Sequence, residues 1–130
     1  MPGPRILALG AALALGLAAM SCDLVYPEIV VENQTASHVL LRNPSFNGCV
    51  WNVVLAYGES TSSGRCLPGS DHVHFQKLDL DQAAADTGAP TWFNYQTTSV
   101  KHVGYGSFHI FEVELGDMEQ DFSIPGPYGH

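Results

Sequence analysis

The stretch CVWNVVLAY, Cys49 to Tyr57, decides how the rest of this chain is read. Alternate residues of an extended chain point to opposite sides. Cys49, Trp51, Val53, Leu55 and Tyr57 therefore share one side, and Val50, Asn52, Val54 and Ala56 the other. Both sides are largely apolar, which predicts a central strand covered on both faces, with Trp51 in the core.

The same period of two extends outward in both directions. EIVVEN (28–33) and SHVLLRN (37–43) are short aliphatic runs separated by NQTA, which reads as a hairpin. After Tyr57 come the polar loop GESTSSG, the short run RCL and the turn signal PGSD. HVHFQKL resumes the alternation, and TWFNYQTTSV and SFHIFEVEL carry the aromatic and β-branched residues that strands favour. DLDQAAADTGAP alone has helical character, so at most a short helix is expected near residues 80–86. The expectation is an all-β fold: a small antiparallel β-sandwich of about seven or eight strands, occupying residues 29–130 as a single domain. The tail holds Phe122, Ile124 and Tyr128, spaced either to lie against the body or to fray as termini do.

Upstream of the domain the chain has a different character. MPGPR carries one basic side chain, and Ile6–Met20 is a run of 15 residues without charge. That is the pattern of a signal peptide over residues 1–21, and the run is shorter than the roughly 20 residues that span a bilayer. The sequence LAAMSC, ending at Cys22, resembles the lipobox of bacterial lipoproteins, in which an aliphatic residue and two small ones precede a cysteine. The resemblance implies a diacylglyceryl thioether on the Cys22 sulfur, with residues 22–28 as a lipid-tethered linker. Ala19-Met20-Ser21 is also a small-x-small site for ordinary secretion, cut at the same bond. Both routes export the protein. An exposed thiol at the N-terminus of an exported chain is easily oxidised, which favours lipidation.

Cleavage there leaves 109 residues, enough for one core. Four basic side chains face 13 acidic ones, so the net charge is −9 with histidines neutral. Such a charge repels nucleic acid and anionic headgroups, and neither is expected as a partner. The other two cysteines, Cys49 and Cys66, have no C-x-x-C companion of the kind thiolate metal sites use, and an exported domain pairs such residues as a disulfide.

Candidate chemistry is sparse. His72-x-His74 puts two imidazoles on one side of a strand about 7 Å apart, as a zinc or copper site needs, with His38, His102 or His109 as the third ligand. Asp117, Glu119 and Asp121, and the pair Asp79 and Asp81, are oxygen donors of the kind calcium takes, but they lack an EF-hand's turn glycine and read as a solvated face. Ser70, Asp71 and His72 are sequence neighbours, an arrangement that seldom yields a triad, because those roles must converge in space. Asn33-Gln34-Thr35 is a formal glycosylation sequon that reads as a turn. Trp92, Phe93 and Tyr95, interleaved with Asn94, Gln96 and Thr97, suit either core pairing or stacking on a sugar or a protein partner.

The reading is a non-enzymatic binding or structural module of the bacterial envelope. It is exported and held at the periplasmic face or outer membrane through lipid on Cys22. A metal-binding lipoprotein using His72 and His74 stands as the alternative, and a small hydrolase as a weaker one. No cofactor is expected unless the histidines take zinc or copper.

Overall fold

The computed structural model describes residues 24–85 and 91–123. The leader, Cys22, Ile124 and Tyr128 lie outside the described residues. The fold is all-β, with eleven strand segments among the described residues, several of only two residues.

Two sheets make the sandwich. In the smaller, β1 (Glu28–Asn33) lies between β10 (Phe108–Val113) and β5 (Gly64–Arg65). The larger runs β11 (Glu119–Gln120), β8 (Phe93–Gln96), β7 (His74–Asp79), β2 (Val39–Phe46), β3 (Cys49–Val50), and β4 (Val54–Leu55) also pairs with β2. A separate ribbon joins β6 (Gly69–Asp71) to β9 (Lys101–Val103). Pairing is antiparallel throughout except between β1 and β10, which run parallel from Glu28↔Phe108 to Asn33↔Val113. That pair departs from a wholly antiparallel sandwich. Parallel neighbours need a long crossover, and here nearly the whole domain supplies it.

The core lies between the sheets. Ile29, Val31, Phe111 and Val113 from the smaller sheet meet Val39, Leu41, Phe46, Leu55 and Phe75 from the larger. Phe46 and Phe111 join the two sheets edge to face, with ring centroids 5.0 Å apart. Burial of each such side chain contributes about 1.5–3 kcal/mol.

Cys49–Tyr57 is an edge, not a central strand. Asn47 and Gly48 both adopt positive φ, 39° and 84°, and turn the chain so that Phe46 pairs with Cys49. That two-residue Asn-Gly loop fastens the stretch to one side of β2, while β7 takes the other. Trp51 and Leu55 face inward and are buried, but Val50 is 64% exposed and Val54 50%. A bulge at Asn43 and Pro44 interrupts β2, and Trp51 N–H donates to the Pro44 carbonyl at 2.9 Å, so the intervening residues leave the ladder.

NQTA is likewise not a hairpin, because β1 does not pair with β2. The turn carries the chain from one sheet to the other, pinned by the Asn33 side chain. Its amide donates to the carbonyls of Val39 at 3.1 Å and Leu55 at 2.8 Å, and its oxygen accepts from the backbone and hydroxyl of Thr35. Asn33 is fully buried, so as a sequon it serves the fold.

The short helix forms as expected, as α1 (Leu80–Ala85). Asp79 caps it, one carboxylate oxygen accepting from the N–H groups of Asp81 and Gln82. The fold begins earlier than Ile29: Glu28 belongs to β1, and buried Pro27 accepts from the Cys66 N–H at 2.9 Å. Phe122 does not lie against the body; it is 81% exposed. Cys49 and Cys66 form a disulfide. Gly64 packs against it, since a Cβ there would sit 3.0 Å from Trp51 Cζ2 and 3.3 Å from Cys49 Sγ. Among the described residues no helix is long and apolar enough to cross a membrane.

Candidate functional site

The three aromatics of TWFNYQ part company in the sheet. Paired residues share a side, so the pairs Lys77↔Phe93 and Phe75↔Tyr95 put Phe93 and Tyr95 on the inner side with Leu41. Trp92, on the outer side, is buried beneath Arg42, whose guanidinium lies 4.4 Å from the ring centroid while its Nε donates to Gln76 at 2.7 Å. Trp92 is therefore structural, whereas Phe93 and Tyr95 are half-buried on the inner side, Tyr95 packed against the core.

The inner side of β7 and β8 extends past the core. Phe75 is buried within it, Tyr95 stacks beside Phe75 at 6.3 Å and stays half-buried, and Phe93 lies one step further out. There the sheet floor becomes a cleft of about 260 Å³. Phe93 and Tyr95 line it together with Lys77, Asp79, Gln82 and Gln120. The Lys77 ammonium sits 4.5 Å from the Tyr95 ring centroid, a cation–π contact. Asp79 brings a carboxylate to the lining. The cleft thus combines flat apolar surface, two amides, a hydroxyl from Thr91, a cation and an anion.

The histidine pair comes together, but among the described residues no third histidine joins it. The rings of His72 and His74 lie 6.2 Å apart, edge to face. His72 Nδ1 is 2.7 Å from the Thr97 carbonyl oxygen, and His74 lies 3.0 Å from Asp71 and 3.9 Å from Asp121. His38 is beside Asp79, His102 contacts Ser70 at 2.7 Å, and His109 stacks on Phe111. Among the described residues the one trio with metal-ligating atoms within 4.8 Å of one another is His38, Asp79 and Asp81. In that trio Asp79 Oδ1 caps the helix, and Oδ2 lies 4.0 Å from His38 Nε2.

The remaining candidates disperse. Ser70, Asp71 and His72 point to different partners: Ser70 to His102, Asp71 to the Asn47 N–H and His74, His72 to Thr97. Asp117, Glu119 and Asp121 do not converge either. Glu119 accepts from Gln96, and Asp121 from Ser123. Asp117 is clamped by Thr98, Ser99 and Lys101. Burial works to raise the Asp117 pKa, but hydrogen bonds from the Ser99 and Thr98 hydroxyls and the Ser99 N–H, with the Lys101 charge, outweigh it and hold the group down to about 2.

Comparison with protein-family models, with curated proteins and with solved structures finds no match to this chain.

Proposed function

We propose that this protein is an exported lipoprotein of the bacterial envelope, tethered through Cys22, that binds an oligosaccharide without chemically altering it. The observation that carries the binding reading is the cleft at the end of the sandwich, where Phe93 and Tyr95 lie among Lys77, Asp79, Gln82 and Gln120. Sugar rings have one apolar face that stacks on an aromatic ring and a rim of hydroxyls that amides and charges satisfy. Aromatics on a rigid strand keep their geometry before the ligand arrives, which reduces the ordering cost of binding. The tether reading rests on the apolar run before Cys22 and on a domain that pairs its other two cysteines, leaving Cys22 as the third thiol.

The test is a titration of the isotope-labelled protein with soluble envelope oligosaccharides, neutral, N-acetylated and acidic, read by backbone NMR shifts. Binding should move the resonances of residues 77–82, 93–95 and 120. Tyr95→Ala should weaken it by about 10-fold or more, as loss of a stacking aromatic does. Shifts confined to other surfaces, or an affinity unchanged in both Phe93→Ala and Tyr95→Ala, would sink the cleft as the site.

A further inference from the structure

The chain enters the fold at Leu24, and the surface around that point is apolar. Val25, Tyr26, Tyr105, Phe108 and Ile110 are all exposed, Phe108 to 55% and Ile110 to 52%. They are one patch. The Gly106 N–H donates to the Val25 carbonyl at 2.7 Å, the Tyr26 and Tyr105 rings lie 6.0 Å apart, and Val25, Tyr105 and Phe108 line a common depression with Glu28 and Arg65. Those last two side chains face each other at 3.9 Å, so the patch holds one charge of each sign.

The outer side of the smaller sheet changes character along its length. The register places Glu28 beside Phe108, Val30 beside Ile110, and Glu32 beside Glu112. Phe108, Val30 and Ile110 give way within a few residues to two adjacent carboxylates. Only the end next to the tether is suited to leave water.

We infer that this end of the sandwich docks on the bilayer, with Phe108 and Ile110 at the boundary between headgroups and acyl chains and Tyr26 and Tyr105 at headgroup level, where amphipathic rings settle. The inference rests on the tether reading for what brings the surface to the membrane. A tether converts weak surface contact into an intramolecular one at high effective concentration, so a small patch suffices. The partner is a zwitterionic lipid surface, because the acidic chain is repelled by anionic headgroups. Docking also orients the molecule. Asn33, at the far end of β1, donates to the Val39 carbonyl, and Val39 pairs with Asp79 of the cleft. Five residue steps of strand, about 17 Å, separate the two ends of β1. The cleft is held toward the water.

The experiment uses the full chain, expressed in a bacterium, extracted from membranes and reconstituted in phosphatidylcholine vesicles with brominated acyl chains. Phe108→Trp and Ile110→Trp each place a reporter in the patch, and the unsubstituted chain, with buried Trp51 and Trp92, is the blank. Tyr57→Trp is the control, because the Gly58 N–H donates to the Asn33 carbonyl and so sets Tyr57 at the opposite end of β1. The expected result is loss of emission by bromine at 108 and 110 and none at 57. Unquenched reporters at both 108 and 110, or equal quenching at 57, overturns the inference. So does shielding at 108 without quenching in a chain that sediments as a dimer, which assigns the face to a second copy. Intact mass of the same sample reads the Cys22 lipid separately. Quenching on an unacylated chain keeps the surface and removes the lipid, whereas no quenching on an acylated chain does the reverse.

Discussion

Asn33 is the residue on which the two sheets turn. Fully buried, it donates to one carbonyl in β2 and one in β4 while its oxygen closes the Thr35 turn. Replacing it by alanine leaves two buried carbonyls without that donor, and the expected loss is about 3 kcal/mol, read as a lowered denaturation midpoint at constant slope. Asn33→Asp should be worse, since it turns a carboxylate oxygen toward those carbonyls. Asp117 does comparable work near β9, where Thr98, Ser99 and Lys101 hold its carboxyl at about 2 against an ordinary 3.8. A depressed carboxyl stabilises the fold above its unfolded pKa and loses that contribution as pH falls through the folded one. Asp117→Asn should therefore lose about 2 kcal/mol at neutral pH, and the gap between variant and parent should close between about pH 4 and pH 2. A gap that stays constant across that window would assign the loss to packing.

Among the elements, the stretch from Cys49 to Tyr57 shows how far the sequence could be read. Its alternation held only in part: Trp51 and Leu55 are buried as their spacing predicts, while Val53 and Tyr57, assigned to the same side, are exposed. Its place in the sheet was not, because an apolar second side does not reveal whether anything covers it. The signal that locates it is Asn47-Gly48, the hairpin turn immediately upstream, which ties the stretch to β2 and makes it an edge. Leu55→Ala should accordingly cost about 2–4 kcal/mol, whereas Val54→Lys should change stability by less than about 0.5 kcal/mol and improve solubility. Equal losses would restore the central-strand reading. Phe93 and Tyr95 were legible only together with Trp92, as an aromatic trio; the register of β8 against β7 is what separates them. That Lys77, Asp79, Gln82 and Gln120 surround them follows from pairing between distant strands, which no local pattern encodes. His72 and His74 do share a side, but the position of a third ligand depends on the same long-range pairing.

At the scale of the whole molecule, the sandwich has two ends of different chemistry. One, around Leu24, is apolar and lies where the chain enters; the other carries the cleft. Both assignments gain their meaning from a tether at Cys22, which would hold a small acidic protein at a lipid surface to which its charge does not draw it. Two acyl chains bind a bilayer far more firmly than one, because each buried methylene adds about 0.8 kcal/mol. The most direct measurement is the intact mass of the protein extracted from bacterial membranes, with Cys22→Ser alongside. The account predicts a chain that begins at Cys22 and carries a diacylglyceryl increment, absent from the variant. A chain beginning at Cys22 with no added mass, or one that retains residues 1–21, would contradict it.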